Sequence, residues 1–140
     1  MNSSVPMTSL IVEPTDLTPG VRFLPSTFEF EISGESRPEN VRKFYEPVME
    51  WLENYKVWLK SNKPGSVDKL IFKFKFQYFN STSAKFLTSI IARLDAIRKE
   101  IMPVEIEWYY DTPDVDMKNS GEEFSKMFTL PFRFYSVELM

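Results

Sequence analysis

From Leu70 to Phe79 the chain alternates with a period of two: Leu70, Phe72, Phe74, Phe76 and Tyr78 fall on one side, and Lys73, Lys75 and Gln77 on the other. Successive side chains of a strand point to opposite faces, so this segment predicts a strand with one buried face. Phe28, Phe30 and Ile32 against Glu29 and Glu31 repeat the pattern, as do Val104, Ile106 and Trp108 against Glu105 and Glu107. VRFLP precedes TFEFEIS with Pro25-Ser26 between them, and the pair predicts an antiparallel hairpin whose second strand ends at Gly34. From Pro38 to about Ser61 the spacing changes to steps of three and four, through Val41, Phe44, Tyr45, Val48, Trp51, Leu52, Tyr55 and Leu59. That is an amphipathic helix, with Ser36 or Glu35 ahead of a first-turn Pro38 and Lys63-Pro64-Gly65 closing it. Pro47 clashes with the preceding turn and is expected to kink or divide it. Leu87, Ile90, Ile91, Leu94, Ile97 and Ile101 mark a second helix. Residues 114–127 form a short third helix, and Pro131 to Val137 alternate Phe132 and Phe134 against Arg133 and Tyr135 as a final edge strand.

Strands separated by helices imply parallel neighbours joined by right-handed crossovers. Sequential order places the lysine strand between two glutamate strands, so Glu29 and Glu31, Lys73 and Lys75, and Glu105 and Glu107 pair across the solvated face, each pair worth about 0.2–1 kcal/mol. The expected architecture is α/β and two-layered: a mixed sheet of about four to five strands, mostly parallel after an N-terminal antiparallel hairpin, with helices on one face only. Residues 1–18 carry Ser, Thr and Pro without periodicity and are expected to form a flexible arm or a weak edge segment; residues 19–140 form a single domain. At the other end Tyr135, Val137, Leu139 and Met140 either leave an apolar edge that pairs between copies or tuck beside a neighbour.

Composition narrows the chemistry. The 140 residues are 43% hydrophobic and 16% aromatic, enough for one well-filled core. Net charge is -3, so no basic surface attracts nucleic acid or anionic lipid. With neither Cys nor His there is no disulfide framework, no thiol catalysis and no ordinary general base. No apolar run reaches membrane-spanning length and the first residues lack signal-peptide character, which makes a cytoplasmic location the simplest expectation. Asn80-Ser81-Thr82 fits a glycosylation sequon, a reading that requires secretion.

Loops leaving the C-terminal ends of parallel strands gather on one edge, where ligands and partners bind. They are GESRPEN (34–40), NSTSAK (80–85) and DTPDVD (111–116). In the second, Ser81, Thr82 and Ser83 stand together at a helix start, where Asn80 or Ser81 is a natural cap. A phosphate on one of these hydroxyls would be stabilised by the helix N-terminus and would add about -1.5 to -2 charges to an edge already holding Glu35, Asp111, Asp114 and Asp116. The three aspartates also fit a weak Mg²⁺ reading, hence a small metal-dependent enzyme; a solvated turn before an acidic helix start, where the dipole favours acids, is the better explanation of an unspecific spacing. No phosphate-cradling glycine motif exists, and a serine nucleophile has no histidine to activate it.

The blocks TPGVRF, FEISGESRPEN, FYEPVMEWLENY, FKFQYFNSTSAKFL, EWYYDTPDVDM, GEEF and LPFRF, in this order, resemble the SiaC family of bacterial regulatory phosphoproteins, which are related in fold to STAS domains and anti-sigma-factor antagonists. The resemblance spans residues 18–135 and implies a partner-switching adaptor with no catalysis and no cofactor. It implies a Ser/Thr kinase that phosphorylates a hydroxyl in the loop entering the second helix, a PP2C-type phosphatase that removes the phosphate, and a diguanylate cyclase bound by the unmodified form, hence cyclic-di-GMP and biofilm control. The acceptor in the family pattern directly follows Asn, which is Ser81 here, with Thr82 as second candidate. Ser81 replaces the family's Thr conservatively, whereas Arg37 replaces a frequent aromatic and bears on partner choice. Glu35, Ser36, Arg37, Pro38, Glu39, Asn40, Asn80, Ser83, Lys85 and Asp111 form the expected docking edge. Control of transcription as an anti-sigma-factor antagonist is the alternative reading.

Overall fold

In the computed structural model, residues 7–62 and 68–138 are described, so the expected helix stop at Lys63-Pro64-Gly65 lies outside the described residues, as do Leu139 and Met140. The elements run β1 (Leu10–Val12), β2 (Gly20–Leu24), β3 (Glu29–Ser36), α1 (Val41–Asn62), β4 (Leu70–Phe79), α2 (Ser81–Glu100), β5 (Val104–Asp111), α3 (Val115–Met127) and β6 (Phe132–Val137). All six strands form one sheet in the order β1-β2-β3-β4-β5-β6, antiparallel up to β3 and parallel from there on. Right-handed crossovers that always step in the same direction place every connecting helix on the same face. The core lies between that face and the helices, with Phe72, Phe74 and Trp108 meeting Tyr55, Leu87 and Ile90, all of them buried. α3 approaches closely because residue 121 is glycine: a Cβ there would lie 2.5 Å from Trp108 Cδ1.

The open face carries the charge alternation across more strands than the sequence predicts. Register aligns Arg22, Glu31, Lys73, Glu107 and Arg133 in one row across β2 to β6. Lys75 pairs with Glu31 at 3.1 Å, but Glu105 takes Lys69 at 3.2 Å and Arg133 at 2.9 Å instead of a β4 lysine. Those two long side chains cover Glu105, which is buried and not solvated. Burial pushes its carboxyl up, but the hydrogen bonds from Lys69 and Arg133 outweigh this and hold it below the usual glutamate range.

Several expectations are corrected. The sheet has six strands, not four to five, because β1 pairs with β2 through Leu10↔Phe23 to Val12↔Val21. The segment before β2 thus takes the second of its two expected forms, a weak edge segment instead of a flexible arm, and is tied down from residue 8: Trp51 Nε1 donates to Thr8 C=O at 2.8 Å, and Arg37 N–H donates to Leu17 C=O at 2.8 Å. α1 begins at Val41, after Pro38, because Asn40 Oδ1 accepts from Lys43 N–H at 3.0 Å and caps it. The helix also runs undivided through Pro47, which lies exposed near its start, where water can serve the carbonyl that the missing N–H leaves free.

Nor does Gly34 end β3. The strand continues to Ser36 across a register shift, with Gly34 opposite Phe76 but Glu35 opposite Tyr78. Gln77 is the extra residue of a β-bulge on β4. Beyond it the alternation inverts: Tyr78, expected inside, is 47% exposed, and Phe79 packs against the core beside Trp108 and Phe124.

Candidate functional site

The bulge delivers the chain to the C-terminal edge with Asn80 N–H donating to Ser36 C=O at 3.0 Å. β3 and the start of α2 are thereby joined. The loop after β4 lies centrally on this edge, between those after β3 and β5, as the strand order requires.

Asn80 caps α2: its Oδ1 accepts from Ser83 N–H at 2.9 Å and from the Thr82 hydroxyl at 2.9 Å. The three hydroxyls have different fates. Ser83 is fully buried, Thr82 is exposed but donates to the cap, and Ser81 is exposed with no hydrogen-bond partner for its hydroxyl among the described residues. Ser81 stands at the first helical position, where the positive end of the helix favours an anion.

Beneath them lies a buried polar chain. Ser36 Oγ donates to Ser83 Oγ at 2.8 Å, and Ser83 Oγ donates to Ser36 C=O at 3.1 Å. Ser36's single hydroxyl proton is thus used, so Tyr45, hydrogen-bonded to Ser36 Oγ, is the donor of that pair. Burial pushes the Tyr45 hydroxyl up to about 12, against the opposing effect of its bonds to Ser36 and Ser83, so it stays protonated. The Tyr45 ring stacks on Phe86 at 5.6 Å, and the Arg42 guanidinium sits 5.8 Å from the Phe86 ring centre. The first turns of α1 and α2 are therefore locked to the end of β3.

The expected docking residues divide accordingly. Arg37, Glu39, Asn40 and Lys85 are exposed and Glu35, Pro38, Asn80 and Asp111 half-buried, with Arg37 paired to Glu35 at 3.1 Å. Ser36 and Ser83 sit on this edge but are 0% exposed. Their side chains therefore differ from the exposed docking groups expected of them and hold the edge together from inside. Tyr45 was missed because it reads as part of the apolar stripe of α1. Ser83 had a usable signal, since it lies four residues before Leu87 and seven before Ile90 on the buried stripe of α2.

Asp114 and Asp116 of the acidic loop stand at the start of α3. Asp114 Oδ1 is committed to Met117 N–H at 3.0 Å as the cap of α3, and Asp116 is exposed in its first turn. Among the described residues no three acidic side chains converge as metal ligands.

A family model described as SiaC family regulatory phosphoprotein matches residues 12–137. The chain belongs to the SiaC family. An uncharacterised protein from Pseudomonas aeruginosa (strain UCBPP-PA14) is 25% identical over 126 residues, covering 90% of this chain and 94% of that one. The crystal structure of apo-SiaC from P. aeruginosa superposes with a TM-score of 0.80 at 24% identity, over 93% of this chain and all of that one. SiaC bound as activator to the diguanylate cyclase SiaD, also from P. aeruginosa, gives 0.78 at 22% identity, over 91% of this chain and 99% of that one. The α/β fold and the family expected from the sequence are both correct.

Proposed function

We propose that this chain is a non-enzymatic, cytoplasmic signalling adaptor that docks an effector through the C-terminal edge of its sheet and is switched off by phosphate on Ser81. The free, exposed hydroxyl of Ser81 carries the reading, since its two neighbours are engaged in capping and in the core. A diguanylate cyclase is the effector this reading favours, because the SiaC of P. aeruginosa activates the cyclase SiaD. A Ser/Thr kinase and a PP2C-type phosphatase then set the state of Ser81. Among the described residues no helix is long and apolar enough to cross a membrane, and a cytoplasmic adaptor requires none.

The chemistry of the switch is electrostatic. A phosphate adds about -1.5 to -2 charges and three strong acceptors, which the α2 N-terminus stabilises. Docking against it then meets repulsion from any acidic partner surface and the cost of desolvating a dianion. The neighbouring loops contribute Glu35, Glu39 and Asp111 to the same edge.

Peptide mass spectrometry of the protein from its native cells, before and after PP2C-type phosphatase, tests the reading. The expected result is a removable phosphate on Ser81. A fully observed peptide spanning residues 76–93 that never carries phosphate under any growth condition overturns it. A binding assay with a cognate cyclase adds a second arm: Ser81→Ala retains affinity and Ser81→Asp loses it.

A further inference from the structure

The two edges of the sheet are finished differently. β1 is a three-residue strand followed closely by Pro14, which packs 3.2 Å from the position of a Cβ on Gly20. Short strands and prolines are how sheets blunt an edge against pairing. β6 is twice as long and its flanking proline does not blunt it: Pro131 turns its backbone toward β5, and the six residues after it pair with β5 in unbroken register from Ile106↔Phe132 to Asp111↔Val137.

The direction of its backbone groups follows from that register. Ile106 N–H donates to Pro131 C=O at 2.9 Å, and Thr112 N–H donates to Val137 C=O at 2.9 Å. In a parallel ladder Arg133, Tyr135 and Val137 therefore turn their backbone groups toward β5, while Phe132, Phe134 and Ser136 turn theirs outward. Among the described residues no strand covers this outer rail.

We propose that the rail pairs with β6 of a second copy, antiparallel about a two-fold axis at Phe134, forming a homodimer with one continuous sheet. The strand is self-complementary in that register. Phe134 meets Phe134 and Phe132 meets Ser136 of the second copy, so every outward N–H finds an outward C=O. Arg133 falls opposite Tyr135 of the second copy in a non-hydrogen-bonded pair, where side chains approach most closely and a cation finds an aromatic ring. Both residues are exposed on the open face, and no like charges face each other. The second copy is favoured over an unrelated strand because the same few side chains supply both halves of each contact.

The geometry has a functional consequence. Antiparallel pairing sends the two Ser81 edges in opposite directions, so the dimer presents two separate docking ends. The dimer does not depend on Ser81 being a phosphoacceptor. One strand per copy buries less than a stable complex needs, so association is concentration-dependent.

Sedimentation velocity of the full chain over about 10–500 µM tests it, a range suited to a small interface. A monomer–dimer equilibrium is expected. Tyr135→Lys and Tyr135→Glu both lose the ring stacked on Tyr109, but they place opposite charges against Arg133 of the second copy. The Glu variant should dimerise about 3- to 30-fold more tightly than the Lys variant, since the contact occurs twice. Ser136→Pro, which removes an outward N–H that β5 does not use, should abolish the dimer with circular dichroism unchanged. A monomer throughout this range, equal dimerisation of the Lys and Glu variants, or a dimer indifferent to Ser136→Pro in a folded protein overturns the proposal.

Discussion

Ser81 and Ser83 carry the same side chain two residues apart, one exposed and without a hydrogen-bond partner among the described residues, the other fully buried with hydrogen bonds to β3. Helical phase separates them. Two residues span about 200° of an α-helix, so when Ser83 joins the stripe of Leu87 and Ile90, Ser81 must face away. The comparison teaches that a cluster of hydroxyls in sequence need not be a cluster in chemistry. One member stiffens the edge, and the other is left available for modification.

Substitutions should break this contrast in graded fashion. Ser36→Ala removes the acceptor of Tyr45 and the donor to Ser83 inside a dry network, and we expect a loss of about 2–4 kcal/mol in urea unfolding. Tyr45 gives the buried set a pH signature. Its hydroxyl is raised from the model-compound value of 10.0 to about 12. A raised folded value means the contribution is complete below pH 10 and is lost as pH rises through about 12. That amounts to about 2–3 kcal/mol, which a Tyr45→Phe variant should lack when alkaline unfolding curves are compared. Asn80→Ala removes the cap that sets the phase and should cost about 1 kcal/mol. Ser81→Ala comes last, with thermal unfolding unchanged within about 0.5 kcal/mol, because its hydroxyl supports nothing in the fold. A large stability loss at Ser81, or none at Ser36, would erase the distinction.

Side-chain period makes most of the architecture legible in the sequence. Alternation in Leu70 to Phe76 and the stripe from Leu87 to Ile97 placed β4 and α2 correctly, because burial of one face dictates both patterns. Alternation failed at Gln77, where a bulge shifts register by one residue, and a shift of one exchanges the two faces. Tyr78 and Phe79 exchange places for that reason. Hydroxyl-rich sequence after β4 placed three side chains on the C-terminal edge but could not say which of them faced inward. That depends on where Asn80 sets the helix start and on Tyr45 arriving from another element. The aspartates follow the simpler of their two readings, an acidic helix start: Asp114 is committed to the Met117 amide and Asp116 stands in the first turn of α3.

The strictly consecutive strand order also bears on how the chain is made. Each strand of this sheet docks on the one synthesised before it, so no early segment waits for a distant later one to complete its pairing. The hairpin β2–β3 closes over a few residues, and each later strand adds after a single helix, at a modest cost in loop closure. Growth can follow the ribosome, one strand at a time, with the unfinished margin always at the newest strand. Among the described residues β6 is the last strand added in this way.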